Sequence, residues 1–342
     1  MRLAELGEFG LINLLNSIFY KSKDPRQASW KRLLVGIGDD AAAWQGNNYI
    51  QLATTDSLVQ NIHFDLDSIT WEELGWKALA VNISDIAAMG GTPQYALISL
   101  AAPAEIEVSD ISKFCSSLAC LAAKFGIAIA GGNLTAAPDV VITITVLGYS
   151  KSKSLLRRST ATLGDQIAVT GTLGLSAAGL EMLSERISLD AETTDILRRG
   201  HLHPIPKVRE GQILVKQGVR TAIDISDGLI ADLNHICEAS KVGARIKIEQ
   251  VPVHPLVKAN FPNYRELALY GGEDYELLFT ASKAVIEQVK QAVNCPVTVI
   301  GDIVEETVPN RVVLFDGRGN IIPYKKGGWE HFRDKSSKVE IA

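Results

Sequence analysis

Apolar residues recur at helical spacing at the start of the chain, at Phe9, Ile12, Leu15, Ile18 and Phe19, which predicts an amphipathic first helix. A polar connector, Lys21 to Lys31, follows. Apolar runs at 33–37 and 49–55 read as strands. Thr70-Trp71-Glu72-Glu73 has capping-box spacing and opens a predicted helix running towards Met89. On that helix Asn82 and Asp85 lie three apart and share a face. Residues 94–101 read as a strand, 109–125 as a helix, and 127–130 as a short buried strand ending at Gly131-Gly132. Val140 to Leu147 is β-branched almost throughout, the clearest strand pattern in the chain.

A polar, basic stretch then intervenes, Ser150-Lys151-Ser152-Lys153-Ser154 with Arg157 and Arg158 beyond it, and marks a domain boundary or mobile loop. After it, strand pattern 166–170 leads through Gly171 and Gly174 into a small-residue helix, Ser176 to Leu183. Strands at 221–225, 244–248, 275–280, 296–300 and 311–315 alternate with helices at 229–239 and 282–292. This alternation in both halves predicts an α/β fold with α+β layers. At 342 residues the chain is long for a single core, so two domains are expected, 1–149 and 150–342. Asn82-Ile83-Ser84-Asp85 and Asp224-Ile225-Ser226-Asp227 echo each other, either by coincidence or as equivalent arms of one metal site.

Composition narrows the class. Hydrophobic residues at 46% and charged ones at 21% fit a folded soluble protein. A net charge of −5, with no Lys/Arg stripe interleaved with aromatics, argues against nucleic acid as a partner. Cys115, Cys120, Cys237 and Cys295 form no C-x-x-C pair and read as reduced, buried thiols rather than a zinc or disulfide framework. Glu5 and Glu8 interrupt the apolar pattern of Met1–Tyr20, unlike a secretory leader. No window approaches 18 apolar residues without a charge, so no membrane span is expected. A cytoplasmic location follows.

Six stretches place a carboxylate or its amide where an apolar segment meets a Gly or small-residue turn: Gly38-Asp39-Asp40, Thr54-Thr55-Asp56, Asn82–Asp85, Gly131-Gly132-Asn133, Asp224–Asp227 and Gly271-Gly272-Glu273-Asp274. Flanks such as Leu33-Leu34-Val35 and Ile127-Ala128-Ile129 read as buried strands converging on one rim. Two carboxylates about 4 Å apart repel by roughly 4 kcal/mol at an effective dielectric near 20. Several on one rim need cations, and hard oxygen ligands suit Mg²⁺ bridging to nucleotide phosphates. Taken singly, each Asp also fits a turn or helix N-cap. His63 fits a structural histidine as well as a catalytic one. Arg157-Arg158 fits either a solvated linker or a phosphate clamp. The Gly171–Gly174 turn fits a phosphate cradle at a helix N-terminus. No Walker-type P-loop, protein-kinase signature, G-x-S-x-G or H-E-x-x-H is present.

Taken together, these motifs resemble thiamine-monophosphate kinase, within the ATP-binding superfamily that includes aminoimidazole ribonucleotide synthetase. The resemblance runs nearly end to end. It includes Gly7–Ile12, Gly36–Ala42, Thr54–Val59 leading to His63-Phe64, Lys77–Gly90, Arg158-Ser159, Val169–Gly171, Asp224–Leu229, Gly271–Leu277 and Gly328-Trp329-Glu330-His331-Phe332. Lys77–Gly90 and Gly271–Leu277 are the most family-specific blocks.

The resemblance implies ATP-dependent phosphorylation of thiamine monophosphate with Mg²⁺, on a two-domain, PurM-like architecture whose first domain pairs with its twin in a homodimer. Carried over, Asp40, Thr54, Thr55, Asp56, Asp85, Asn133, Asp224 and Asp227 would hold metal. Arg158, Ser226, Gly132 and Asn133 would contact ATP. His63, Glu273 and Trp329 would contact the thiamine moiety. Asp56, Asp227 and Arg158 would be central to catalysis. One departure stands out: Gly131-Gly132-Asn133-Leu134-Thr135 occupies the place of the family's Gly-Gly-Asp-Thr-Thr. Asn133 keeps a carbonyl oxygen but lacks the charge, and so motivates the alternative of a non-catalytic nucleotide-binding relative. Another ATP-dependent synthetase of the superfamily is the second alternative.

Overall fold

The computed structural model describes residues 3–21, 24, 26–306 and 311–323. Helices α1 (Leu3–Lys21, broken at Gly7) and α2 (Ala28–Arg32) precede the first sheet. Its strands are β1 (Leu33–Val35), β2 (Ala42–Gln45), β3 (Ile50–Val59), β4 (Thr92–Ala102), β5 (Ala128–Ala136) and β6 (Val141–Ser150), in the order β1-β2-β3-β6-β4-β5. The antiparallel pair β3–β6 runs in register from Ile50 opposite Ser150 to Val59 opposite Val141. Strand alternation turns Ile50, Leu52 and Leu58 towards the core and Gln51 and Ser57 to the other face.

Helices α3 (Trp71–Ala88) and α4 (Val108–Phe125) cover the core face. The capping box at the start of α3 forms as its spacing predicts. The Glu73 N–H donates to Thr70 Oγ1 at 3.3 Å, and the Thr70 N–H donates to Glu73 Oε2 at 2.7 Å. Fifteen of the eighteen α3 residues are buried. Such a helix belongs at the centre of a structure rather than on its surface. Leu79, Ile83 and Ile86 pack with Leu52, Ile142 and Ile144, each contributing roughly 1.5–3 kcal/mol of transfer free energy. Burial also means that every polar group on α3 needs a partner, and the second domain supplies several of them.

The second sheet comprises β7 (Gln166–Thr170), β8 (Thr221–Asp224), β9 (Gly243–Lys247), β10 (Leu277–Ala281), β11 (Val297–Val304), β12 (Val312–Phe315) and β13 (Ile321–Ile322), in the order β13-β12-β9-β11-β7-β10-β8. Around it lie α5 (Leu175–Glu185), α6 (Ala191–Leu202), α7 (Val208–Lys216), α8 (Leu229–Ser240), α9 (Pro255–Asn260), α10 (Tyr264–Tyr270) and α11 (Lys283–Ala292). The two halves meet along α3. Trp76 Nε1 donates to Pro204 O at 2.9 Å, and Arg198 pairs with Glu73.

Two expectations fail here. Leu33–Val35 and Ile127–Ile129 are not buried strands sharing a rim; they contribute to β1 and β5, the opposite edges of the sheet. Every residue of β5 is exposed. The thiols are not uniformly buried either: Cys237 is, whereas Cys115 and Cys120 are exposed on α4. Among the described residues no helix is long and apolar enough to cross a membrane.

Candidate active site

A cleft of about 2070 Å³ opens between the domains, bordered by α1, the β1–β2 loop, β3, α3, α5 and the 226–235 and 270–275 segments. Carboxylates from both domains line its floor. Asp40 reaches it from the β1–β2 loop and Asp85 from the C-terminal half of α3, and Asp224, at the last position of β8, lies buried against them. One oxygen from each of these three lies within 4.8 Å of the others. Thr54 Oγ1 donates to Asp85 Oδ2 at 2.5 Å, and the Asp56 N–H donates to Asn82 Oδ1 at 3.0 Å. Asn82 and Asp85 thus act from one helical face, as their spacing predicts.

The electrostatics follow from this crowding. Burial, and then the charges of Asp56, Asp224 and Asp40, push the Asp85 carboxyl well above its usual range. Burial and Asp40 lift Asp224 to about 7. Burial and Asp40 do the same to Asp39, and burial and Glu8 to Asp227. Arg158 partly offsets the charge. Its Nε and Nη2 both donate to Asp40 Oδ1, at 3.2 and 2.5 Å. Asp40 Oδ2 is buried and, among the described residues, has no hydrogen-bond partner. An orphaned carboxylate oxygen beside two further carboxylates suits a hard divalent cation, so the residues present fit Mg²⁺.

A second group, Asp227, Asp232 and His235, also brings its ligating atoms within 4.8 Å of one another. Asp232 Oδ2 accepts the backbone N–H groups of Ser226, Asp227 and Gly228 at 3.1–3.2 Å and so ties down the loop that presents Ser226 and Asp227. From the other side Gly272 closes on the same loop. A Cβ at Gly272 would stand 2.1 Å from Ser226 O, so only glycine lets the two segments touch.

Next to the carboxylates lies a buried cationic group. Lys77, 2% exposed, pairs through Nζ with Glu273 Oε1 at 2.8 Å. Lys77 Nζ also lies 3.4 Å from His201 Nε2. Burial, and then Lys77, lower the His201 pKa to about 3, so the ring is neutral. Because Lys77 can only donate, Nε2 accepts and the proton sits on Nδ1, which faces Ser176 Oγ at 3.0 Å and Glu273 Oε2 at 3.4 Å. Burial raises the Glu273 pKa, but Lys77 and the neighbouring rings outweigh it, and the carboxylate stays below its ordinary value.

The sequence-stated candidates thus divide. Asp40, Thr54, Asp56, Asp85, Arg158, Ser226 and Asp227 border the cleft, as do His63 and Glu273. His63 Nδ1 accepts the Val59 N–H at 3.0 Å. Thr55 also borders the cleft, from the opposite pleat of β3, and its hydroxyl donates to Ile144 O at 3.2 Å. Gly132 and Asn133 do not border the cleft: they sit in mid-β5, with Asn133 paired to Ser99. Three strand spacings separate that row from Ser57, or about 14 Å. Trp329 lies outside the described residues. The Gly171–Gly174 turn does not offer its amides to a ligand, because the Asp274 carboxylate already accepts the Gly174 and Ser176 N–H groups at 2.8 and 3.2 Å.

Lys77, His201, Ser84 and Asp232 were not singled out from the sequence as site residues. The available signal was a charge on an apolar helical face: Lys77 within Trp76–Val81 and Asp232 within Leu229–Leu233.

The family model "AIR synthase related protein, N-terminal domain" matches residues 38–150, and the corresponding C-terminal domain matches 162–313. Thiamine-monophosphate kinase of Bacillus subtilis (strain 168) is 37% identical over 335 residues, 96% of this chain and 100% of that protein. The chain belongs to the thiamine-monophosphate kinase family. The Buchnera aphidicola (subsp. Acyrthosiphon pisum) member is 41% identical over 87% of this chain and 92% of its own length. A solved complex, AaThiL complexed with AMPPCP and TMP, superposes with a TM-score of 0.82 at 34% identity, covering 97% of this chain and 99% of that one. The two-domain α/β architecture is that of the thiamine-monophosphate kinase fold.

Proposed function

We infer that this protein transfers the γ-phosphoryl group of ATP to thiamine monophosphate, giving thiamine diphosphate and ADP. The observation that carries this reading is an interdomain cleft floored by carboxylates of both domains, in a chain that aligns almost end to end with thiamine-monophosphate kinases. An oxygen of the acceptor phosphate attacks the γ-phosphorus in line, the bond from that phosphorus to the β,γ-bridging oxygen breaks, and ADP leaves with the electron pair. The acceptor is already an anion, so the protein's task is to position and neutralise rather than to deprotonate.

Each residue follows from that task. Arg158 carries a fixed positive charge beside Asp40 and faces the nucleotide phosphates, with Ser226 next to it on the tied loop. Glu273, kept ionised by Lys77, complements the thiazolium cation, and His63 lines the same side. Asp40, Asp56, Asp85 and Asp224, with Thr54, would hold Mg²⁺, and Asp227 would hold a further ion with Asp232 and His235. When bound, the metal supplies positive charge against two mutually repelling polyanions.

The chain divides functionally at 149/150, where β6 ends. Tyr95 and Leu97 of β4 are exposed on the outer face of the sheet, Ile129 and Leu134 are exposed along the β5 edge beside them, and this edge is where a second copy docks. Gly132 and Asn133, remote from the cleft of their own chain, would then serve at the subunit junction. ATP and free thiamine monophosphate as substrates fit a cytoplasmic enzyme.

Incubation with Mg-ATP and thiamine monophosphate tests the reading. Thiamine diphosphate and ADP should appear in equal amounts. Binding of ATP without either product would overturn it in favour of a nucleotide-binding relative.

A further inference from the structure

Tyr275 sits at φ +50, a left-handed conformation that is rare for a bulky L-residue. Backbone pairing holds it there. The Tyr275 N–H donates to Ile225 O at 2.9 Å, and the N–H of Glu273, itself at φ +64, donates to Ser226 O at 2.8 Å. The segment is therefore zipped against the loop that follows Asp224. Such outliers cost of order 1–3 kcal/mol and concentrate at functional sites.

The side chain is equally unusual. Tyr275 is 7% exposed yet borders the cleft. Among the described residues its hydroxyl has no hydrogen-bond partner. The hydroxyl oxygen is not sealed from solvent and opens on the cleft, where it is available to a bound ligand as a phenylalanine ring would not be.

Its position supplies the reason. The carboxylates acting on the phenol are Glu273, then Asp56, Asp224 and Asp85. Tyr275 borders the same cleft as Lys77, His201 and Glu273 on the thiamine side and Asp56 and Asp85 on the nucleotide side. A phosphate travelling from one to the other does so within that cleft. Among so many carboxylates it needs a donor that adds no negative charge, and a phenol, ordinarily titrating near 10, is such a donor.

We propose that Tyr275 is a catalytic residue whose hydroxyl donates a hydrogen bond to a non-bridging oxygen of the acceptor phosphate of thiamine monophosphate and aims it at the γ-phosphorus. This rests on the phosphotransfer reading above. The phenolic proton stays on Tyr275, and the bonds made and broken are those already given.

The test is Tyr275→Phe, which removes one oxygen and leaves the ring and backbone in place. The expected result is a roughly 100- to 1000-fold fall in kcat/KM for thiamine monophosphate, in line with the loss of one preorganised donor. ATP affinity, measured by calorimetry, should be unchanged, and the thermal midpoint of the free protein unchanged or higher. A variant that equals wild type in both kcat and KM overturns the proposal while leaving the reaction intact. So does a variant that loses ATP binding and thermal stability together, because the residue would then be structural. Absence of thiamine diphosphate with the wild-type protein overturns the underlying reading instead.

Discussion

Ser84, on the central helix of the first domain, donates its hydroxyl to the carboxylate of Asp224 in the second domain at 2.5 Å. The two Ile-Ser-Asp echoes in the sequence are therefore joined directly: the serine of one bonds the leading aspartate of the other. The bond favours the ionised form of Asp224 against burial and the charge of Asp40.

Ser84→Ala should destabilise the protein by about 1–3 kcal/mol, the range for a hydrogen bond to a charged group. It should also raise the Mg²⁺ concentration needed for half-maximal turnover, because Asp224 would hold its proton more tightly. Denaturant unfolding and a Mg²⁺ titration of activity measure the two effects. An unchanged Mg²⁺ requirement would separate this bond from the metal site.

Asp227→Asn should lower turnover at least roughly 100-fold, comparable to losing a key electrostatic group, while the fold stays intact. The metal-free variant should melt no lower than wild type, because the change removes repulsion from Glu8, Asp56 and Glu273. Near-normal turnover would count heavily against the assigned role.

Lys77→Met keeps the length of the side chain and deletes its charge. The expected loss is about 2 kcal/mol, less than the roughly 3–5 kcal/mol of a fully buried broken pair, because the Glu273 side chain is 30% exposed. KM for thiamine monophosphate should rise more than KM for ATP. Equal rises would detach Glu273 from the thiamine side of the cleft.

His201 gives a pH dependence of definite sign. Its pKa is about 3 in the folded protein, against about 6.5 in the unfolded chain. Between those values the unfolded state binds the extra proton. Its share of stability is therefore complete above pH 6.5 and is lost on acidification towards pH 3, with a slope of at most about 1.4 kcal/mol per pH unit. His201→Gln should flatten the stability–pH curve between pH 4 and 6. A curve parallel to wild type would mean that the ring is charged when folded.

Leu134, 79% exposed on an edge strand, marks the edge assigned to a second copy. Leu134→Glu should convert a dimer into a monomer by light scattering. A wild-type protein that is already monomeric would sink the docking surface, and Asn133 would then have no cleft to serve.

Elements with strong local signals were legible without coordinates. The capping box at Thr70, the β-branched run from Val140 and strand 166–170 all appear where expected. The Lys77–Gly90 and Gly271–Leu277 blocks both contribute residues that border the cleft. The misses have specific causes. Strand β2 was hidden because Ala42–Gln45 is short and carries little β-branching. Helices α6 and α7 are amphipathic but short, at 12 and 9 residues, and Pro204 and Pro206 break the pattern between them. The Gly171–Gly174 turn looked open because its occupant, Asp274, lies a hundred residues away. The pairing of Lys77 with Glu273 is likewise a tertiary fact, invisible to local pattern.

Asp40 and Asp85 belong to one lobe and Asp224 to the other, so an ion shared by the three is also a fastener. Chelation would then loosen the grip of the lobes on each other before either melts. A loaded molecule would unravel as one unit and a stripped one in stages, which makes cooperativity itself a gauge of occupancy.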